Sequence, residues 1–326
     1  MAQKKTNTNL HTAKSVKNDE FYTRFEDISK EVTHYKEFFK DKVVYCNCDR
    51  VDGDNRSNFF VYFATYFEIL GLKRLICTTY NKGGKGRLFI YDGDTNGNKF
   101  IDDEEIYTIE MDGDGDFRSE ECVKWLKKCD VVVTNPPFSL FREFVAQLME
   151  YDKKFLIIGN KNAITYKELF PLIKDNKIWL GMSAPTAYST PLKEVENEKT
   201  QYKENGVVYQ RFGNHGWFTN IEHSNRIYPL DLYKNYNAEK YPKYDNYDAI
   251  NVNKVSDIPC DYDGVMGVPI TFLDKYCPTQ FEIVWTTDRG GDGKIENLKN
   301  KNWDKSWDSP YINGKKIYKR IFIRRK

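Results

Sequence analysis

Between residues 21 and 181, short apolar runs alternate with amphipathic stretches, a rhythm that leaves few folds open. Residues 21–39 place Phe21, Phe25, Ile28, Val32, Tyr35 and Phe39 at spacings of four and three, the stripe of one helix. Residues 42–46 (KVVYC) form a β-branched run and predict a buried strand. Residues 58–70 predict an aromatic-rich helix that Gly71 closes in the left-handed conformation. A second strand follows at 72–78 (LKRLICT), and two more at 87–91 and 105–111 flank a polar, Gly-bearing connection. A helix at 119–128 precedes a third core strand at 131–134 (VVVT). The pattern continues as helix 139–151, strand 155–159 (FLIIG), helix 164–174 and strand 177–181 (KIWLG). Strands alternating with helices in this way predict an α/β chain with a doubly wound, mostly parallel sheet. Such sheets bind ligands beyond the carboxyl ends of their strands, at the topological switch point. The two ends to inspect are residues 46–50 and 135–138.

Beyond residue 182 the rhythm is lost. Residues 183–205 are polar, 207–212 and 217–219 look like strands, and Tyr, Asn, Asp and Lys dominate from 229 onward. A soft boundary near residue 228 divides a domain at 19–228 from a C-terminal region at 229–326, behind an N-terminal arm at 1–18. A chain of 326 residues is comfortable for two domains. No run of about 18 uncharged apolar residues is present, which excludes a spanning helix. The N-terminus lacks the apolar core of a secretory signal. Seven cysteines, an odd count without metal-type spacing, predict a reducing cytosol and a cytoplasmic protein.

Fifty basic against 48 acidic residues give a net charge of +2, but the charge is segregated. Residues 1–18 carry four lysines and no acid, and residues 92–121 carry 12 carboxylates against two basic residues. Residues 301–326 carry nine Lys or Arg against two Asp. Basic ends around an acidic middle can present a cationic groove while the total stays near zero. Aromatics make up 15% of the chain, more than a core needs, and those beside basic residues suit stacking on bases.

Asn135-Pro136-Pro137-Phe138 follows the strand VVVT directly. Two prolines fix φ and remove backbone donors, leaving carbonyls as acceptors. The Asn135 side-chain oxygen and the Pro136 carbonyl can then accept from one exocyclic amino group, directing its lone pair toward an electrophile. Phe138 supplies a face on which a planar base stacks. The bland alternative is a Pro-Pro turn that merely stops the strand.

These residues sit in a longer string, GDGDFRSEECVKWLKKCDVVVTNPPFSLFREF at 113–144, which resembles the EcoRI-type adenine-specific DNA methyltransferases. Further matching strings are DEFYT at 19–23, VYCNCD at 44–49, FLIIGN at 155–160, WFTN at 217–220 and YDGVMGVPITFLDKY at 262–276. The resemblance implies a Rossmann-like methyltransferase domain and a smaller C-terminal DNA-recognition region, in the γ order of such enzymes. It implies S-adenosylmethionine as cofactor and an adenine flipped out of double-stranded DNA as substrate. By the same resemblance Asn135, Pro136, Pro137 and Phe138 grip the adenine and its N6. Asp116 and Phe117 contact the adenine ring of the cofactor, and Phe21, Tyr22 and Thr23 pack over its methionine half. Asn47 and Asp49 are candidates in the loop after the first strand, where Cys46-Asn47-Cys48-Asp49 replaces the usual glycine-rich turn. The implied setting is restriction–modification or phage self-modification, with the chain a monomer beside a cognate endonuclease. The alternatives are methylation of RNA or of a protein amide, and a non-catalytic DNA-binding protein on this scaffold.

Other signals are weaker. Asp92, Asp94 and Asn96, with Asp103 twelfth, imitate a calcium loop, but the twelfth position is not Glu and strands flank it. An Asn-Gly hairpin turn accounts for the spacing, so no metal is expected. His11, His34, His215 and His223 lack metal spacing and are read as surface or hydrogen-bonded side chains. Residues 82–87 (KGGKGR) form a basic loop, either a solvated turn or a phosphate-contacting arm. The alternating basic and apolar residues at 315–326 read as a charged edge strand or a phosphate-facing surface.

Overall fold

A computed structural model describes residues 22–51, 56–287, 298–300 and 309–326. The arm at 1–18, Phe21 and the basic residues at 301–308 lie outside them. In chain order the strands are β1 (Tyr22–Thr23), β2 (Val43–Asn47), β3 (Arg74–Thr78), β4 (Arg87–Tyr91), β5 (Ile106–Glu110) and β6 (Val131–Thr134). After these come β7 (Lys154–Asn160), β8 (Trp179–Leu180), β9 (Tyr188–Thr190), β10 (Gln201–Glu204), β11 (Val207–Gln210) and β12 (His215–Thr219). The last six are β13 (Ile250–Asn251), β14 (Met266–Pro269), β15 (Phe281–Thr286), β16 (Tyr311–Ile312), β17 (Lys315–Lys316) and β18 (Arg320–Arg325). The helices are α1 (Phe25–Val32), α2 (Lys36–Phe39), α3 (Asn58–Thr65), α4 (Phe67–Leu70), α5 (Glu120–Lys128), α6 (Phe141–Glu150) and α7 (Phe170–Lys174).

The chain is a mixed α/β protein that divides into two units, residues 1–153 with 183–215 and residues 154–182 with 216–326. In the first unit the strand order is β5-β4-β3-β2-β6. Strand β2 runs parallel to both neighbours, β3 and β6, so the chain departs from it to either side. Strands β3, β4 and β5 pair antiparallel, which makes the sheet mixed rather than parallel throughout. Val131, Val132 and Val133 are fully buried, as a central strand covered on both faces requires.

Several expected elements form with near-identical bounds, although the single helix expected over 58–70 divides at Tyr66 into α3 and α4. Ser119 caps α5 by accepting from the Cys122 amide, and Ser57 caps α3 through the Phe59 amide. Gly71 closes α4 with φ 61°, the left-handed conformation predicted for it. The stripe at Ile28, Val32, Tyr35 and Phe39 is buried, yet the single helix expected over 21–39 is broken. Tyr22–Thr23 leaves it to pair antiparallel with β9, and a 3-10 turn at Thr33–Tyr35 separates α1 from α2. Helix α1 also turns two carboxylates inward: Asp27 accepts from the Thr186 amide at 2.9 Å, and Glu31 from the Ser183 amide at 2.6 Å. Those bonds hold the approach to β9, which joins the second sheet of this unit, β1-β9-β11-β10.

The connection between β4 and β5 is a 14-residue loop and not a two-residue Asn-Gly hairpin. Asp94 accepts from the amides of Gly97 and Lys99, Asn96 from Asn98, and Asn98 from Phe100. Glu105 accepts from the Thr95 and Asn96 amides. Backbone amides that a hairpin would leave to water are thus bound by side chains.

The second unit holds strands in the order β7-β12-β8, with β12 and β8 antiparallel, and a separate sheet β13-β14-β18-β15. Strand β18 is flanked on both sides, which corrects the edge-strand expectation for the C-terminal run. Ile321, Phe322 and Ile323 are consecutive and fully buried, a run that only an interior strand can cover. Arg320 is buried as well, donating to Asn251 and to the Tyr318 carbonyl.

The backbone is packed most tightly at Gly115. Gly115 has φ 81°, and a Cβ there would lie 1.9 Å from the Thr79 carbonyl oxygen. Gly115→Ala is expected to lower stability by about 2 kcal/mol or more, read as a fall in the urea midpoint; an unchanged midpoint would contradict this packing.

Candidate active site

The switch point of the first unit lies between β2 and β6, and both flagged loops leave from it. Paired positions of β2 and β6 run from Val44–Val131 to Tyr45–Val132, whereas β2 stays paired with β3 as far as Asn47–Thr78. The two strands that end at the candidate site therefore separate near their carboxyl ends.

Strand β6 delivers the tetrad. Pro136 is buried and Asn135, Pro137 and Phe138 are half-buried, with the Asn135 side-chain oxygen itself buried. Pro137 has φ −55° and ψ 121°, after which Phe138 opens a short 3-10 turn leading into α6. The Phe138 ring lies 4.5 Å from the His215 ring, centre to centre. His215 is buried, stacks on Phe212 at 4.6 Å and shares a 3.0 Å hydrogen bond through Nδ1 with the Tyr188 hydroxyl. Burial holds the imidazole down at about 4, so the ring behind Phe138 is neutral near pH 7. Tyr188 stands opposite Thr23 in the β1–β9 pairing, which joins the N-terminal strand to this aromatic cluster.

The loop after β2 makes its turn without glycine. Cys48 has φ 64°, the conformation a glycine-rich turn would supply, at a cost of about 1–2 kcal/mol for a side chain. Asn47 and Asp49 are both buried. Asp49 accepts from Ser57 Oγ at 2.5 Å through one carboxyl oxygen, and its other lies 2.7 Å from Thr134 Oγ1. Thr134 Oγ1 also reaches the Asn47 carbonyl at 2.7 Å. Burial pushes the Asp49 carboxyl up to about 7, against the pull of its two hydroxyl partners. Asn58 follows Ser57 and donates to the Thr23 carbonyl at 2.7 Å, so Thr23, Asn47, Asp49 and the start of the tetrad share one hydrogen-bonded assembly.

Asp116 and Phe117 occupy the loop before α5. Arg118 donates to the Asp116 carboxylate through Nε at 2.9 Å and Nη2 at 2.6 Å, which holds that carboxyl below its usual range. Phe117 is buried, packing on Phe144 of α6 at 5.0 Å while Gln147 donates to its carbonyl. The half-buried Cys48 thiol is pushed up, first by desolvation and then by the charges of Asp49, Cys122 and Asp116. Tyr22 is half-buried opposite Ser189, and Phe21 lies outside the described residues.

A bound cofactor is tested by the polar atoms left for it. Among the described residues, the Asn47 side-chain oxygen and the Thr23 hydroxyl are buried without a hydrogen-bond partner, a cost that ligand donors would offset. The residues present therefore fit a polar ligand seated on this loop. Sequence reasoning did not find His215, Tyr188, Thr134 or Ser57. Thr134 stands inside the motif string, but its inward hydroxyl has no sequence signature. His215 lies two residues ahead of the WFTN string, and only the fold sets it behind Phe138. Among the described residues, no group of three or more His, Cys, Asp or Glu is placed to hold a metal ion, and all seven cysteines are free.

The chain belongs to the EcoRI family of adenine-specific methyltransferases: the profile described as "Adenine-specific methyltransferase EcoRI" matches residues 9–326. It is 49% identical to the type II methyltransferase M.EcoRI of Escherichia coli, covering 100% of this chain and 99% of that protein. It is 38% identical to the type II methyltransferase M.MpnI of Mycoplasma pneumoniae and 37% identical to M.MgeORF184P of Mycoplasma genitalium. Each of those two alignments covers 97% of this chain and 98% of the relative. No solved structure matches the chain.

The Asp49 carboxyl yields a pH test. Its folded value, about 7, lies above the roughly 3.9 of a free aspartate, so its contribution is full below about pH 4 and lost as pH rises through 7. Wild type is expected to lose stability relative to Asp49→Asn across that interval in urea titrations. Parallel pH profiles for the two proteins would contradict the assignment.

Proposed function

We propose that this chain methylates N6 of adenine within a specific sequence of double-stranded DNA, using S-adenosylmethionine. The observation that carries the reading is Asn135–Phe138 at the end of β6, beside buried acceptor atoms of the loop after β2. S-adenosylmethionine, when bound, supplies an electrophilic methyl group. Asn47, Thr23 and Tyr22 would hold it from the loop and the N-terminal strand, with Phe21 from the same segment and Asp116 and Phe117 from the loop before α5. On the substrate side, the Asn135 oxygen and the Pro136 carbonyl accept from the N6 amino group, and Phe138 stacks on the flipped base. The chain's contribution is orientation: N6 is held with its lone pair directed outward, and its proton is lost after the new bond forms. A neutral His215 behind Phe138 adds no charge to the face on which the base stacks.

The same reading makes the first strands a Rossmann-like methyltransferase domain and residues 229–326 a target-recognition region, with the arm at 1–18 on the DNA. Exposed Tyr233 and Tyr318, with Lys315 and Lys316, offer stacking faces and cations in that region. The proposed setting is a cytoplasmic restriction–modification system or phage self-modification, the chain acting as a monomer beside a cognate endonuclease. Among the described residues, no helix is long and apolar enough to cross a membrane.

A tritiated-methyl assay offering duplex DNA, RNA and protein in parallel is expected to label DNA alone, and long-read sequencing of DNA from expressing cells to show N6-methyladenine at one motif. Label on RNA or protein instead would overturn the substrate. Asn135→Ala is expected to lower turnover about 10²–10³-fold and Phe138→Ala about 10-fold to 100-fold; unchanged turnover in either would move the site elsewhere. Despite the net charge of +2, DNA affinity is expected to fall linearly with salt on a log–log plot. A flat response would remove the segregated charge from the DNA interface.

A further inference from the structure

Where the β2–β6 pairing ends, a side chain continues the connection. The last paired positions are Tyr45 and Val132, two residues short of each strand's end. Beyond them the Thr134 hydroxyl lies 2.7 Å from both the Asn47 carbonyl and the Asp49 carboxyl. All three residues are buried, Thr134 completely. Thr134 is bonded directly to Asn135, and Asn47 and Asp49 flank the left-handed Cys48 of the cofactor loop. The other Asp49 oxygen is engaged by Ser57, the cap of α3. Both carboxyl oxygens are therefore engaged within the chain, and neither lies free toward a ligand.

We propose that Asp49 and Thr134 are positioning residues, which hold the catalytic tetrad in register with the cofactor loop across the gap where β2 and β6 part. The inference rests on the methyl-transfer reading above and assigns Asp49 to the brace and not to the cofactor. A hydroxyl has one proton and stands here between two oxygens. Thr134 donates to the Asn47 carbonyl when the Asp49 carboxyl is protonated and donates back to it. In that arrangement every member of the bridge is satisfied, and Asn135 is tethered to the loop through its immediate neighbour. Transfer between a held amino group and a held methyl group depends on their separation to a fraction of an ångström. The brace therefore acts on turnover and not on the affinity of either partner.

The test uses the full-length protein with S-adenosylmethionine and a duplex it methylates. Thr134→Val removes the hydroxyl at nearly constant volume and Asp49→Ala removes the other end of the bridge. Each is expected to lower kcat about 10-fold to 100-fold while the Kd for S-adenosylmethionine, by calorimetry, stays within about 3-fold. Thr134→Ser is expected to restore most of the turnover lost in Thr134→Val, and Asp49→Asn, which keeps a donor toward Thr134, to fall less than Asp49→Ala. The double variant Asp49→Ala with Thr134→Val is expected to lose no more than the worse single variant. If Thr134→Val did not fold, Asp49→Ala would carry the same test from the opposite end. Unchanged kcat in Thr134→Val overturns the proposal, as does an Asp49→Ala variant whose defect is confined to cofactor affinity and vanishes at saturation. A wild-type protein that neither binds S-adenosylmethionine nor transfers methyl overturns the functional reading itself, a result distinguishable from both.

Discussion

Strand β2 is the element on which the site depends. It is paired in parallel on both sides, and the chain leaves it in opposite directions toward β3 and β6. Parallel strands bring their carboxyl ends to the same edge, so the loops at 46–50 and 135–138 emerge together although 85 residues separate Asn135 from Arg50. The parallel pair requires burial on both faces, and the four residues Val131–Thr134 meet that condition with no exposed position. The proposed site depends on two loops being held at one edge.

The polar interior near that edge is unusual in kind rather than in size. Asp49 is buried with hydroxyl partners and an elevated pKa, which costs less when the group is neutral than when it is charged. His215 shows the converse case, a base kept neutral by burial. Burial thus disfavours the charged form of both groups.

Much of the first unit was legible because strand and helix periods differ and the elements are short. Ser119, Ser57 and Gly71 act as the caps their residue types imply, and strands 87–91 and 131–134 form as read. The failures have local causes. The stripe over 21–39 is apolar at helical spacing throughout, yet Tyr22 and Thr23 find a sheet partner in β9, and pairing outweighs a weak preference. Strands 87–91 and 105–111 do pair as an antiparallel hairpin, but side-chain oxygens of Asp94, Asn96 and Asn98 bind the backbone and stabilise a longer connection than a tight Asn-Gly turn. The C-terminal run alternates in charge as an edge strand does, while its three central apolar residues belong to an interior strand.

The amino-acid sequence by itself determined the class of chemistry. Asn-Pro-Pro-Phe after a buried strand pointed to carbonyl acceptors and an aromatic face offered to an amino group, since proline geometry is fixed covalently, and the strings around it pointed to the family. It also determined the α/β architecture, because hydrophobic period is a local property. Only the tertiary structure decided which side chains surround that motif. Thr134, Asp49 and Ser57 meet through strand register, and His215 reaches Phe138 from 77 residues away. Such contacts depend on where strands end and how they diverge, and no spacing along the chain encodes that distance.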